Sequence, residues 1–400
     1  MAAQTNYRRT LIACYLGFVT QAICANFAPL LFLTFRETYD LTLEQIALIP
    51  TLFFFTQLVV DFACAKFVDR IGYRVSVVAS EAFSAAGLIG LAFLPDRMPS
   101  PFVGILICVI LYAMGSGLIE VLVSPIVEAC PFDNKEGVMS LVHSFYCWGS
   151  VTVILFSTLF FAIFGIDAWR MLTCIWAIIP LYNLFNFAVC PIEHLVEEGE
   201  GMTISALIRT PLFWLLALLM VCSGASELSM SQWASAFTES ALGVSKMVGD
   251  LAGPCLFAVL MGISRVFYSR RSVRMNLERY MIACGVLCLG CYLLSALAPS
   301  PLLGLIGCAV TGLSVGVMWP GTLSISSRAC PKGGTAMFAL LALSGDMGGT
   351  LGPLLVGECS AWAGDNLRMG ILAGILFPTL MIVGLIAMQR KNETGGGTGT

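Results

Sequence analysis

The 400-residue chain is 58% hydrophobic and only 11% charged, with a mean hydropathy of +0.89. A soluble protein of this length carries about a quarter of its residues as charged side chains, so the composition excludes an ordinary soluble enzyme. The net charge of −3 says nothing about partners, and no basic tract suggests a nucleic-acid partner. The 16 cysteines lie mostly in apolar stretches, where we expect packing rather than a disulfide framework or a zinc site.

Twelve apolar runs follow one another, and each has about the 20 residues that a helix needs to cross a ~30 Å hydrocarbon core. Prolines and charged residues separate the runs. The predicted spans are 9–34, 43–66, 75–94, 102–128, 138–164, 169–190, 212–238, 246–268, 279–298, 302–327, 335–360 and 368–388. An even number of spans places both termini on one side of the membrane.

The distribution of basic residues indicates on which side of the membrane the termini lie. With the N-terminus in the cytoplasm, 16 of the 21 lysines and arginines fall in inner loops or at inner ends of spans, Arg265 among them, and five fall in outer loops. Inner loops carry the excess of positive charge in membrane proteins. We therefore predict a multi-pass protein of the plasma or inner membrane with both termini cytoplasmic.

The longest polar stretch lies between the sixth and seventh spans and has an acidic composition typical of a solvated linker. It divides the chain into an N-terminal six-helix bundle (1–190), a cytoplasmic linker (191–211) and a C-terminal six-helix bundle (212–390). A flexible tail is expected over 391–400.

An internal repeat supports this division. At a constant offset of 200, identical residues pair at Arg70 and Arg270, Arg74 and Arg274, 129–131 and 329–331, Ser144 and Ser344, and Gly149 and Gly349. One ungapped offset across three segments implies two parallel copies of one unit. The predicted fold is an all-α membrane protein of twelve helices, with two bundles related by a pseudo-two-fold axis along the membrane normal. This arrangement is expected of a carrier with its site between the halves.

The loop after the second span carries a recognisable motif. Residues 65–74 read AKFVDRIGYR, which resembles the Gly-x-x-x-Asp-Arg-x-Gly-x-Arg signature of the major facilitator superfamily, with alanine replacing the first glycine. The resemblance implies a conformational-switch loop of Asp69, Arg70, Gly72 and Arg74. In that family the aspartate faces the N-terminal end of the eleventh helix, where the helix dipole favours an anion.

Within the superfamily, the chain is similar to the fucose–proton symporter family. Gly117-Leu118-Ile119-Glu120 with Pro125 resembles that family's fourth-helix segment, and residues 141–149 resemble its fifth-helix segment, with His143 and Tyr146 at the Gln and Asn positions. Met318-Trp319-Pro320 is also familial. The acidic residue of the family's first helix has no counterpart, because Ala25 and Asn26 occupy that region.

Ionisable residues inside spans are costly, so each is a functional candidate. Tyr112, Ser116, Glu120 and Ser124 recur every four residues and form one polar stripe on the fourth span. His143 lies at a similar depth on the next span. We predict that Glu120 carries the coupling proton and that His143 tunes it. The alternative is a neutral Glu120 that only ties two helices together.

Other polar residues in the spans are predicted to bind the solute. The candidates are Gln21, Asn26, Tyr146, Glu227, Gln232, Trp233, Trp319 and Asp346. An amide beside an indole, as at Gln232 and Trp233, suits sugar hydroxyls and C–H faces, although Trp233 could instead be an interfacial residue. Asp61 and Glu81 are expected to belong to an inner charge network near Asp69.

The sequence therefore predicts a proton-coupled symporter, working as a monomer in membrane lipid, for a sugar or similar polyol. No cofactor, metal or catalytic residue set is expected, so an enzyme is disfavoured. A drug or metabolite exporter of the same fold stays open, although the fifth span lacks the Gly-Pro-rich signature of drug antiporters. A transport-inactive receptor is the remaining alternative.

Overall fold

The computed structural model describes residues 7–196, 201–234, 254–364 and 366–395, and all regular structure in these ranges is helical. Short 3-10 turns join some of the α-helices. The α-helices are α1 (Arg8–Asn26), α2 (Phe32–Tyr39), α3 (Leu43–Ile71), α4 (Tyr73–Phe93), α5 (Pro101–Ala129), α6 (Lys135–Phe164), α7 (Trp169–Val189), α8 (Ile204–Ile208), α9 (Pro211–Ser231), α10 (Leu256–Arg271), α11 (Leu277–Leu297), α12 (Pro301–Val315), α13 (Met318–Ala329), α14 (Gly334–Trp362), α15 (Leu367–Ala373) and α16 (Leu376–Gly395).

Eleven stretches of the described chain are long and apolar enough to cross a membrane. They correspond to eleven of the twelve predicted spans. The eighth predicted span, 246–268, lies partly outside the described residues, and its residues 256–268 belong to α10. The first span is interrupted by a 3-10 turn, Ala28–Leu31, because Pro29 has no N–H to continue the α-helical hydrogen bonds.

The helix boundaries repeat with the offset seen in the sequence. Helix α3 ends at Ile71 and α10 at Arg271, while α5 ends at Ala129 and α13 at Ala329. Helices α5 and α12 begin at Pro101 and Pro301, where a proline at the first helical position needs no N–H partner. The two copies of the repeat therefore share the positions at which helices begin and end, as well as single identical residues.

The chain forms two compact units. Unit 1 comprises Met1–Phe132, Phe145–Ile204 and Lys332–Ala339, and unit 2 comprises Asp133–Ser144, Ser205–Pro331 and Leu340–Thr400. The predicted linker contains the short helix α8, and its residues 197–200 lie outside the described part. The predicted tail is helical as far as Gly395.

Small residues bring helices together in both units. In unit 1, α4 packs against α5 so closely that a methyl group on Gly87 would lie 2.6 Å from the backbone nitrogen of Tyr112. In unit 2, a methyl group on Gly224 of α9 would collide with the backbone of Gly345 in α14. Close backbone approach through small residues is the usual way in which helices associate inside a membrane.

Large apolar side chains also point outward. Examples from three helices, each between 59% and 67% exposed, are Phe55, Phe62, Leu159, Ile163 and Phe185. Such a surface would aggregate in water, but it matches the hydrocarbon of a bilayer. The outward apolar faces and the long helices therefore agree with the predicted membrane-spanning class.

A polar cluster ties three elements of unit 1 together at one end. Arg170 donates two hydrogen bonds to the Asp96 carboxylate, at 3.0 and 3.1 Å, and the Tyr39 hydroxyl donates a third at 2.9 Å. Partial burial raises the pKa of Asp96, but these hydrogen bonds and the arginine charge outweigh burial and lower the pKa from its ordinary value. The cluster joins the end of α2 to the start of α7.

Candidate functional site

Glu120 is held by two amides from two other helices of unit 1. Its Oε2 atom accepts hydrogen bonds from Gln21 Nε2 of α1 at 2.9 Å and from Gln57 Nε2 of α3 at 3.0 Å. Gln57 also donates to Ser116 at 3.4 Å, so one amide contacts two residues of the polar stripe on α5. Amides fix the position of a carboxyl without neutralising it, which leaves its protonation state free to change.

The sequence did not single out Gln57. It lies within the apolar stretch 53–60, and a polar amide in such a stretch could have identified Gln57 as a candidate functional residue.

Asn26 and Tyr146 meet through a serine. The Asn26 side chain donates to Ser150 Oγ at 3.1 Å, and Ser150 donates in turn to the Tyr146 carbonyl at 2.9 Å. Asn26 also bonds back to the carbonyl of Ala22 at 2.8 Å. Its donors are therefore engaged, while its side chain and that of Tyr146 remain half-buried.

Unit 2 contains a buried charge pair. Arg265 of α10 lies 3.7 Å from the Glu227 carboxylate of α9, and their side chains are only 4% and 15% exposed. Arg265 Nε donates to the Gly316 carbonyl, and its Nη1 donates to the His143 carbonyl, both at 2.8 Å. The arginine thus supplies Glu227 with a countercharge and anchors three segments of the unit.

The burial of Arg265 was not expected from the sequence, which placed this residue among the basic residues at the inner ends of spans. It is buried within α10, six residues before that helix ends. Its position beside the buried Ser264, four residues after the buried Met261 and three before the buried Tyr268, indicates an inward face. That spacing was the signal by which Arg265 could have been found.

The remaining predicted ligands of unit 2 lie on three elements. Gln232 is exposed just beyond α9, and Trp233 donates its indole N–H to the Pro353 carbonyl at 3.0 Å. Trp319 of α13 is half-buried, and its ring lies against Gly345, next to the half-buried Asp346. The described residues include no group of three or more histidine, cysteine or acidic side chains placed to hold a metal.

The switch loop makes a tight turn between α3 and α4. Gly72 has φ of +90° and ψ of 145°, a conformation that only glycine adopts readily. Arg74 donates to the Phe187 and Ala188 carbonyls at 3.1 and 2.8 Å, at the C-terminal end of α7, where a cation is favourable. Arg70 lies in the last turn of α3, and its side chain is exposed.

Tyr73, and not Asp69, contacts the start of α14. The Tyr73 hydroxyl is hydrogen-bonded to Thr335, the second residue of that helix. Asp69 is exposed and, within the described chain, makes no hydrogen bond or ion pair. The expectation that Asp69 faces this helix end is therefore not met by a direct contact.

Gly72 offers a test of this loop because Gly165 has nearly the same backbone, with φ of +81°, and neither has an atom within 4 Å of an added methyl group. Alanine at either position should cost roughly 1–3 kcal/mol in backbone strain. We expect similar losses of thermal stability in the purified variants, but slowed transport only for Gly72→Ala. Equal transport rates for the two variants would remove the special role of the switch loop.

Comparisons with known proteins agree on one family. The model of the Major Facilitator Superfamily matches residues 13–353, whereas no curated protein sequence matches the chain. The structure of the E. coli fucose:proton symporter FucP is similar with a TM-score of 0.81 and 15% identity, over 95% of this chain and 98% of that one.

Two further structures show the same likeness. The proton:xylose symporter XylE has a TM-score of 0.80 at 12% identity, with 96% and 95% of the two chains covered. The human organic anion transporter MFSD10 has a TM-score of 0.73 at 14% identity, covering 96% of this chain and all of that one. At these identities the likeness shows the fold, and the family model covers most of the chain. The chain belongs to the Major Facilitator Superfamily, and it is a multi-pass membrane protein of the transporter fold.

Proposed function

We propose that the chain is a proton-coupled symporter that moves a small polar solute, a sugar or similar polyol, by alternating access. The observation that carries the proposal is Glu120, an intramembrane carboxyl held by Gln21 and Gln57 and still half-buried rather than sealed. A carboxyl in this setting can take up and release a proton as water access changes.

The solute class is inferred from the side chains that the sequence predicts as solute ligands. Exposed Gln232 offers a whole amide group for hydroxyls, half-buried Asn26 offers its amide oxygen, and half-buried Trp319 offers an aromatic face. Two of the structural neighbours bear names as fucose:proton and proton:xylose symporters, which supports a neutral sugar. We propose Trp233 as an outer ligand, although its indole N–H is already bonded to Pro353.

The basic-residue asymmetry of the sequence supports cytoplasmic termini in a plasma or inner membrane. We propose a monomer as the working form, with protons, solute and membrane lipid as the partners.

Proteoliposomes test the function directly. The purified protein would be reconstituted with a pH-sensitive dye inside and offered a panel of monosaccharides and polyols without an imposed gradient. A symporter acidifies the interior when its solute enters, and protein-free vesicles provide the baseline. Uptake of a sugar without any change of internal pH would contradict proton coupling while leaving a sugar carrier.

An organic-anion carrier or exporter is the second candidate. The buried cation Arg265 and the similarity to MFSD10, whose name describes an organic anion transporter, favour it. The same vesicles offered aromatic carboxylates distinguish the two, because an anion carrier would move these and leave the sugar panel outside.

A further inference from the structure

A second buried carboxyl lies in unit 1, apart from Glu120. Glu81 of α4 is completely buried and is held by two other helices. Its Oε2 atom contacts the Thr20 hydroxyl of α1 at 3.0 Å, and its Oε1 accepts from Asn183 Nδ2 of α7 at 2.6 Å. The sequence placed Glu81 in an inner charge network, and these neutral partners correct that expectation.

The charge environment distinguishes Glu81 from Glu227 of unit 2. Glu227 has the guanidinium of Arg265 beside it, but within the described residues no lysine, arginine or histidine lies within ion-pairing distance of Glu81. Burying an unpaired carboxylate costs far more free energy than burying a neutral carboxylic acid. The environment therefore stabilises the protonated form of Glu81.

The hydrogen bonds also indicate which oxygen carries the proton. Asn183 uses its amide nitrogen twice, toward Glu81 and toward the Ala13 carbonyl at 3.0 Å, so the Ala13 contact fixes the amide orientation. Oε1 of Glu81 must then accept. The Thr20 hydroxyl donates to Oε2 in this structure, and by rotating about its C–O bond it can accept instead, so a proton on Oε2 would have a partner there.

We infer that Glu81 is a second proton-binding site of this chain, occupied when α1, α4 and α7 are packed as they are here. The inference extends the proposed proton coupling from one carboxyl to two. Thr20 and Gln21 are consecutive on α1, and they contact Glu81 and Glu120 respectively. Loss of either proton would therefore act on the same turn of α1.

Other titratable groups surround this site. The buried thiol of Cys24 on α1 is one of them. The further buried carboxyls on the helices packed against α4 are Asp61 of α3 and Glu128 of α5, and half-buried Glu120 of α5 is bonded to Gln21 and Gln57. Helix α7 contributes the neutral Asn183. None of these groups supplies the positive charge that an ionised Glu81 would require.

Infrared spectroscopy of the purified protein near neutral pH tests the inference without any transport assay. A protonated carboxylic acid gives a C=O stretching band separate from carboxylates and amides. We expect part of this band to disappear in Glu81→Gln and to stay unchanged in Glu44→Gln, which removes an exposed glutamate on α3. A band of wild-type intensity in Glu81→Gln would overturn the inference.

A second variant keeps the test decisive if Glu81→Gln does not fold. Thr20→Val removes the hydroxyl that faces Oε2 and nearly conserves shape, so it should shift the frequency of the same band. An unshifted band would contradict the proposed position of the proton. A third outcome would separate the two proposals. If the band is lost in Glu81→Gln but solute uptake does not depend on pH, Glu81 is a proton-binding site and the proposed proton coupling of transport is wrong.

Discussion

Replacement of Glu120 by glutamine should leave solute binding and exchange intact and abolish accumulation driven by a pH gradient. The amides of Gln21 and Gln57 donate to Oε2, and a glutamine keeps one oxygen that can accept such bonds at almost the same shape. It cannot gain or lose a proton, so solute movement loses its link to the gradient. In proteoliposomes with an imposed pH difference, we expect solute to reach equal concentrations inside and outside.

Two comparison variants sharpen this result. Glu120→Asp retains a carboxyl and should still accumulate solute, at a lower rate because the shorter side chain reaches the amides less well. His143→Ala should shift the pH optimum and leave exchange in place, if His143 tunes the coupling. Accumulation at the wild-type level by Glu120→Gln would eliminate Glu120 as the coupling residue, and Glu227 and Asp346 would be examined next.

Replacement of Arg265 by glutamine should strongly destabilise unit 2. It leaves the Glu227 carboxylate without a countercharge, and it removes the donors to the Gly316 and His143 carbonyls. Breaking a buried ion pair by removing one partner costs about 3–5 kcal/mol. We expect a large fall in the Tm of the purified protein in detergent, accompanied by loss of transport.

The paired change separates charge from packing. Adding Glu227→Gln to Arg265→Gln removes the stranded carboxylate, so the double variant should recover part of the lost Tm. The matched control is Arg328→Gln. Arg328 is 49% exposed and pairs with Glu136 and Glu278 at 2.6 and 2.8 Å, and exposed pairs contribute only about 0–1 kcal/mol each. Equal Tm losses for Arg265→Gln and Arg328→Gln would contradict the structural role of the buried pair.

The polar stripe on the fourth predicted span shows what the spacing of residues can predict about side-chain contacts. Residues four apart share a helix face, and Gln57 does contact both Ser116 and Glu120. Spacing could not reveal that the partner amides come from α1 and α3, because the rotation of one helix against another is decided by packing between them.

Arg265 and Glu81 illustrate the converse. From its position along the chain, Arg265 was expected at a helix end and Glu81 in a charge network. A sequence indicates the depth of a residue in the membrane but not the direction in which its side chain faces. The structure instead places Arg265 beside Glu227 and Glu81 beside Thr20 and Asn183. Both findings concern contacts between residues far apart in the chain.

The sequence alone determined the membrane class, the predicted spans and the repeat at an offset of 200. The length of an apolar run and the position of a proline are local features, and they decide where each helix can begin and end in both copies of the repeat. The resemblance to the superfamily was visible in the short motif at residues 65–74, in which Gly72 occupies a fixed position. Which polar groups meet inside each unit was decided only by the tertiary structure. Inside a membrane the backbone is satisfied within each helix, so the pairing of side chains depends on how closely small residues such as Gly87 and Gly224 let the helices approach.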